Sequence, residues 1–219
     1  TFVFALLLAA NLHPLYSQQR NPEIKRFAKN NLLSQTIVEE VFQDEKGFMW
    51  FGTYDGLLRF DGHQTKHFKY NHLDENSISN DVVTSIVQAD DGMLWIGTHM
   101  GLNSYDPSNE KFTRYYASES NENSLKSNQI NSLMIDSSGI LWISTYFGLS
   151  IMDTQEEKVI ANYPNPLDSL DYNGVLIYFV MQLNDSVFWV SGSSGLSSVQ
   201  VSGPDYSNLD FVGVKRNNS

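Results

Sequence analysis

Two histidines are the first residues in this chain whose spacing could serve chemistry. His63 and His67 have the i, i+4 spacing of a metal-binding pair on a helix. The preceding Asp61-Gly62 instead predicts a β-turn, and no Glu stands between the histidines as in a zinc protease. We therefore interpret both histidines as structural.

The carboxylates give no clearer signal of catalysis. Glu39, Glu40 and Asp55 could pair as general acid and base, but no spacing singles them out. Cysteine is absent, which excludes disulfides, thiolate catalysis and Cys-based zinc sites. The sequence also shows no nucleophile motif, phosphate-binding loop or redox site. We predict no catalytic residue, no metal site and no cofactor for this region.

Composition narrows the class of protein and of partner. The 219 residues include 25 acidic and 14 basic side chains, a formal net charge of −11. This charge would repel a phosphate backbone, and no Lys/Arg cluster interrupts it, so we expect no nucleic-acid partner. A hydrophobic share of 41% with 13% aromatic residues predicts a globular protein with a packed core.

The elements that would position any site are four near-copies of one phrase, of which residues 91–102 (DGMLWIGTHMGL) are the cleanest. In every copy a Trp is followed six residues later by Gly and seven residues later by Leu. These structural residues are Trp50, Trp95, Trp142 and Trp189, with Gly56, Gly101, Gly148 and Gly195. The fixed period of about 46 residues indicates an array or a propeller.

Each repeat predicts a four-stranded antiparallel meander. Apolar runs at 36–43, 82–89, 130–135 and 175–183 precede Asp/Asn/Gly turns that lead into the Trp strands. Third strands are expected at 57–60, 102–105, 149–152 and 196–199, and fourth strands at 65–70, 111–116 and 158–163. The four blades are placed at about 33–70, 78–116, 125–163 and 173–214.

The predicted fold class is all-β, with the sheets as blades of a propeller. A sheet with two partly apolar faces must pack against its neighbours, which a ring of sheets achieves. The Trp fills the space between sheets, and the small residue two positions later admits a close neighbour. We expect apolar faces to be exposed at both ends of a four-blade arc, which favours self-association.

The N-terminal segment predicts export. Residues 2–10 (FVFALLLAA) are too short an apolar run to span a bilayer, and a polar stretch follows them. We interpret residues 1–17 as the remnant of a signal peptide, 18–32 as a lead-in segment and 33–219 as propeller repeats. The alternative is a buried N-terminal helix or strand.

The phrase Asp-x-x-Gly-x-Leu-Trp-Ile-Gly-Thr-x-x-Gly-Leu, followed by Tyr-Asp and Phe-x-x-Tyr, resembles the two-component regulator propeller repeat. It is fullest at 90–116, and the resemblance covers residues 34–200. The fourth copy departs from the pattern at Ser186, Gly192 and Gln200. The resemblance implies one piece of a longer sensor, which has a signal peptide, two propellers of about seven blades, a β-sandwich, one membrane helix, a histidine kinase and a regulator domain.

The resemblance further implies a periplasmic ectodomain of an inner-membrane protein, which senses oligosaccharides and regulates glycan-utilisation genes. It implies a homodimeric receptor whose membrane helix and kinase lie downstream, with no enzyme activity in this region. Two other classes stay open. A secreted propeller enzyme, a glycan lyase or hydrolase, would carry catalytic residues partly outside this sequence, and a protein-interaction scaffold would bind another protein and no saccharide.

A ligand site is predicted at the turns after the Trp strands. The two residues between Thr and Gly differ from copy to copy, while the flanking residues are nearly constant. Strand reversal places these turns at the same end of the sheets as the long interblade loops. We predict that Tyr54, Asp55, His99 and Tyr146 bind a sugar, because aromatic planes suit pyranose C–H faces and Asp55 can accept hydrogen bonds from hydroxyls.

Overall fold

The computed structural model describes residues 36–163, 176–193, 195–203, 206 and 209–213. The expected signal peptide (1–17) and lead-in segment (18–32) lie outside these described residues. Within them the chain forms strands, turns and loops, and sixteen strands make four separate four-stranded sheets. The predicted all-β class is confirmed.

Each sheet is an antiparallel meander in which neighbours along the chain pair. The first sheet contains β1 (Val38–Gln43), β2 (Met49–Thr53), β3 (Gly56–Phe60) and β4 (Thr65–Phe68). The second contains β5 (Val83–Gln88), β6 (Leu94–Thr98), β7 (Gly101–Asp106) and β8 (Lys111–Tyr115). The third contains β9 (Ile130–Ile135), β10 (Ile140–Thr145), β11 (Gly148–Asp153) and β12 (Lys158–Tyr163). The fourth contains β13 (Ile177–Asn184), β14 (Val187–Gly192), β15 (Gly195–Val201) and β16 (Leu209–Gly213).

The turns between first and second strands form as their sequences predict. Asp44 Oδ1 accepts a hydrogen bond of 2.9 Å from the backbone N–H of Phe48, and Gly47 takes a φ of 86°. Asp91, Asp136 and Asn184 also accept bonds from nearby backbone N–H groups at the turns of the other three sheets. Short polar side chains therefore satisfy the turn backbone and fix the hairpin register.

The sheets pack face to face in chain order, with β1 against β5, β5 against β9, and β9 against β13. Trp50, Trp95 and Trp142 fill the three spaces between successive sheets and are 0%, 1% and 0% exposed. Each lies in an apolar cluster built from its own sheet and the next one. The stacking is that of propeller blades, with the first strands adjacent to one another.

The small residue two positions after the Trp permits this approach, as predicted. A Cβ atom added to Gly52 would lie 2.9 Å from Val83 Cγ1, and one added to Gly97 would lie 2.7 Å from Ile130 Cγ2. Both distances are shorter than a normal carbon–carbon contact. The first strand of the following sheet therefore packs directly on the backbone of the Trp strand.

Hydrogen bonds also join successive sheets along these first strands. Each first strand contains a register shift near its start. At the shift in β5, Thr84 Oγ1 donates to the carbonyl of Ile130 at 2.9 Å. At the shift in β9, Asn131 Nδ2 donates to the carbonyl of Ile177 at 2.7 Å. The bulged residue thus serves as a donor to the next sheet.

Equivalent residues differ sharply in exposure at the two ends of the stack. Leu196 of the fourth sheet is 45% exposed, whereas its counterparts Leu57, Leu102 and Leu149 are fully buried. Trp189 is only partly buried. Val41 of the first sheet is 53% exposed, whereas its counterpart Ile86 is 3% exposed. Both end faces therefore present apolar side chains to solvent, as expected for an arc of sheets.

Candidate ligand-binding face

The turns that join second and third strands are built alike in the first three sheets. Thr53 Oγ1 donates to the carbonyl of Gly56 at 2.7 Å and accepts from the backbone N–H of Asp55 at 3.0 Å. Thr98 and Thr145 make the same pair of bonds. Gly56 has a φ of 107°, which a residue with a side chain would rarely adopt. The repeated Thr and Gly thus hold the turn and leave the two residues between them free to vary.

These turns meet the long interblade loops, as strand reversal predicts. The backbone N–H of Gly56 donates to the carbonyl of Asp81 at 2.7 Å, and that of Gly101 donates to Asn128 at the same distance. Asp81 and Asn128 end the loops that lead into the following sheets. Turns and loops therefore form one continuous face at this end of the stack.

Tyr54 and His99 are neighbours on this face. Their ring centroids lie 6.5 Å apart, and Tyr54 is 47% exposed. The charge of Glu39 and its hydrogen bond to the Tyr54 hydroxyl raise the pKa of Tyr54. The structure thus brings two of the four predicted site residues together, with a carboxylate beside the phenol.

Asp55 is already engaged by a lysine. Its Oδ1 lies 2.5 Å from Lys69 Nζ, and this hydrogen bond is the main cause of an Asp55 pKa below the ordinary value. His67 Nε2 contacts the Asp55 carbonyl, so this histidine supports the turn. A ligand hydroxyl would compete with Lys69 for the Asp55 carboxylate, although both side chains are about half exposed.

Tyr146 lies beside Phe147 on the turn of the third sheet. The two rings meet edge to face with centroids 5.0 Å apart, and they are 38% and 50% exposed. Phe147 carries more of the exposed aromatic surface at this turn. The prediction had selected Tyr146 and passed over its neighbour.

A groove of about 780 Å³ separates the turns of the second and third sheets. His99 and Met100 line it from one turn, Phe147 from the next, and the interblade loop 117–129 forms the rest together with Asn162. Among the four predicted site residues, His99 alone lines the groove, while Tyr54, Asp55 and Tyr146 lie elsewhere on the face. The sequence predicts this loop only as a connection between blades. Its side chains line a groove only because folding places the loop beside the two turns.

Other candidate groups are not assembled into a catalytic site. Glu40 is half-buried, and desolvation raises its pKa, whereas Glu39 lies beside Tyr54. His63 belongs to the turn capped by Asp61, as expected. In the part of the chain that the structure describes, no group of three His, Asp or Glu residues could hold a metal ion. The described residues likewise include no helix with the length and apolar character needed to cross a bilayer.

Comparison with known proteins gives the repeat its family. The two component regulator propeller family matches residues 31–55, 77–100 and 124–147, the segments that carry the first three Trp phrases. A protein named histidine kinase P4 from Formosa agariphila is 40% identical over 76 residues. That alignment covers 34% of this chain and 6% of the kinase, so it spans only a small part of that relative's length.

Solved structures show the same fold. The extracellular domain of a hybrid two component system from B. thetaiotaomicron superimposes with a TM-score of 0.68 at 22% identity. This match covers 86% of this chain and 26% of that domain. Virginiamycin B lyase from Staphylococcus aureus gives a TM-score of 0.59 at 12% identity, with 83% and 57% of the two chains covered. At these identities the likeness establishes the propeller fold alone.

Three findings agree on a propeller repeat. The family matches three segments, the fourth sheet has the same meander topology, and the similar solved structures are propellers. The buried Trp and the Thr-fixed turn explain physically why the repeat has this sequence. The three matched segments are therefore similar to two component regulator propeller repeats, and the described part of the chain folds as propeller blades.

Proposed function

We propose that this region is the ligand-sensing part of an extracytoplasmic sensor in a two-component system, and that its ligand is an oligosaccharide. The observation that carries the proposal is the face of turns and loops, where Tyr54, His99 and Tyr146 are held on Thr-fixed turns. The repeat family supports the signalling context. The extracellular location of the solved two component relatives supports export.

The chemistry of the face suits a sugar. Exposed aromatic rings offer planes on which the C–H face of a pyranose can pack, and the adjacent amides and carboxylates can hydrogen-bond its hydroxyls. The Thr bonds and the bonds from turn to loop fix these groups before a ligand arrives, which limits the entropy lost on binding. A rigid face of this kind is suited to recognition.

In this proposal the region itself performs no catalysis. Occupancy of the face shifts the arrangement of paired receptor chains, and a kinase elsewhere in the full-length protein responds. The paired chains form a homodimer, the ectodomain lies in the periplasm, and the response controls genes for glycan use. Each of these features belongs to the proposed sensor function and would be withdrawn if that proposal failed.

Calorimetric titration of the full-length protein with a panel of oligosaccharides tests the assignment. We expect at least one saccharide to bind, and Tyr54→Ala, His99→Ala or Tyr146→Ala to weaken that binding by about tenfold, which corresponds to roughly 1.4 kcal/mol. His63→Ala is a matched control for His99→Ala, because the exposed His63 lies on the turn between β3 and β4, at the other end of the sheet. Unchanged affinity in all three variants with intact folding would remove these turns as the site.

A second measurement separates a sensor from a propeller enzyme. The saccharide that binds is incubated with the protein, and its products are analysed by mass spectrometry while autophosphorylation is followed in parallel. A sensor leaves the saccharide intact and changes its phosphorylation rate. Cleavage of the saccharide, or a phosphorylation rate that ignores every saccharide, contradicts the sensor assignment.

A further inference from the structure

The groove between the second and third sheets combines exposed apolar groups with a polar wall. Met100 and Phe147 are 53% and 50% exposed, although most large apolar side chains in these two sheets are buried. They come from neighbouring turns and line the same concavity. Exposed apolar surface that is gathered in a concave site of several hundred Å³ is typical of ligand sites.

The opposite wall, loop 117–129, is held by side-chain bonds to its own backbone. Asn128 Oδ1 accepts from the N–H of Ala117 at 2.7 Å, and Ser124 Oγ accepts from Ser118 at 2.8 Å. Asn162 Nδ2 donates to the carbonyls of Glu122 and Ser124 at 3.1 and 2.8 Å. The wall is therefore fixed before any ligand enters.

Several polar groups on this wall remain available. Within the described residues, the side chains of Glu119, Glu122, Lys126 and Gln129 form no hydrogen bond or ion pair, and all four line the groove. They supply both donors and acceptors, as a ligand rich in hydroxyl groups requires. The wall carries two carboxylates and one ammonium group, in a chain of net charge −11.

The corresponding position one repeat earlier is occupied differently. Asp55 and Lys69 of the first sheet form an ion pair there. Their counterparts in the second sheet are Met100 and Tyr116, which cannot pair by charge. The turn beside the groove therefore offers an uncharged, apolar surface, whereas the first turn engages its own charges.

We propose that this groove seats an unsulfated sugar segment, with one ring packed on Phe147 and its hydroxyls bonded to the loop, and that it disfavours polyanionic glycans. The inference rests on the proposed oligosaccharide function and adds the position and charge class of the ligand. Packing on Phe147 requires only a C–H face, while Glu119 and Glu122 repel sulfate groups. Met100 provides a second apolar contact at the other side.

The test is titration of the full-length protein with cello-, xylo-, manno- and malto-oligosaccharides and with heparin oligosaccharides of similar length. We expect an unsulfated member to bind, and Phe147→Ala and Met100→Ala to weaken it at least about tenfold and about threefold. His63→Ala should bind like the wild type. The double variant Glu119→Gln with Glu122→Gln should bind heparin oligosaccharides more tightly than the wild type does.

The outcomes separate the groove from the broader proposal. Binding of an unsulfated saccharide that Phe147→Ala and Met100→Ala leave unchanged overturns the groove and leaves the sensor assignment standing. Failure of every saccharide to bind the wild type overturns both. Tighter binding of heparin oligosaccharides than of any unsulfated member overturns the charge selection.

Discussion

At the interface between the third and fourth sheets, the N–H group of the central Trp donates a hydrogen bond. At the interface between the second and third sheets, the corresponding N–H group does not. Trp142 Nε1 donates to Asp136 Oδ2 at 2.8 Å, and the Tyr206 hydroxyl donates to the same oxygen at 2.7 Å. Trp95 Nε1 is buried and has no hydrogen-bond partner among the described residues. Ala89 stands where Asp136 stands one repeat later, six residues before the Trp.

The first interface agrees with the third. Trp50 Nε1 donates to Asp44 Oδ2 at 2.8 Å, so the acidic residue serves both the turn and the indole. Burial of Trp95 at 1% exposure nevertheless equals that of the other two. The volume of the indole therefore suffices to join the sheets, and the hydrogen bond is a separate contribution that one interface lacks.

The largest effect should come from removing a fully covered indole. Trp142→Ala is expected to lower the free energy of unfolding by about 3–5 kcal/mol, because it opens a cavity against Phe188, whose ring centroid lies 4.1 Å away. Trp189→Ala should cost only about 1–2 kcal/mol, since Trp189 is partly exposed. Urea unfolding measures both variants, and equal losses would contradict the difference between covered and uncovered faces.

Removing the shared acceptor should make the third interface resemble the second. Asp136→Ala leaves two buried donors unpaired and is expected to cost about 2–3 kcal/mol. Asp91→Ala is the matched control, because exposed Asp91 accepts only one bond from the backbone N–H of Met93 and should cost less than about 1 kcal/mol. A loss at Asp136 no larger than that at Asp91 would show that the indole bond contributes little.

Adding a hydrogen-bond acceptor for the Trp95 indole should raise the free energy of unfolding. Ala89→Asp is expected to raise the free energy of unfolding by about 1 kcal/mol, since an aspartate at this position bonds the indole in the other two interfaces. The gain must disappear in a Trp95→Phe background, where no indole N–H exists. Chemical denaturation of the four variants in this cycle decides whether the effect belongs to the bond.

The smallest effect is a loss of stability that is confined to alkaline solution. Burial and the bond to Asp136 raise the pKa of Tyr206 to about 12 from an ordinary value of 10.0. Because the folded pKa is the higher one, the stabilisation is complete below pH 10 and is lost as the pH rises towards 12. Tyr206→Phe should flatten this decline in alkaline unfolding curves. An unchanged slope would mean that other tyrosines, such as Tyr105, account for it.

The sequence predicts the features that recur in every repeat. It does not predict features that depend on which strand or sheet lies next to a residue. The Trp phrase predicted four meanders and the close approach at Gly52 and Gly97, because the same residue types recur at one spacing. The phrase itself does not distinguish Trp189 from the other three Trp residues; its partial exposure follows from its place in the end sheet, whose apolar face was expected to be exposed. The strand β16 also lacked a sequence signal, and it forms by pairing with β15.

The candidate site divides in the same way. Variation between Thr and Gly directs attention to the turns, and the loops do meet them at one end, as strand reversal predicts. The choice of Tyr146 over Phe147 followed residue type, because the sequence alone gave no measure of which ring would be exposed. The groove depends on loop 117–129, whose backbone is held by Asn128 and Asn162 from distant positions in the chain. Such contacts leave no local pattern.

The hydrogen bonds between first strands give the stack a direction. Thr84 donates forward to Ile130, and Asn131 donates forward to Ile177, so each bulge joins its sheet to the one that follows. In the first sheet the bulge holds Glu39, whose carboxylate lies beside Tyr54 and is not a donor to the second sheet. The first sheet can therefore separate without breaking a bond of this kind. The ion pairs of Arg59 and Lys66 with Glu110 then remain on the outer strands, and we expect amide protons of β1 to exchange before those of β5 and β9.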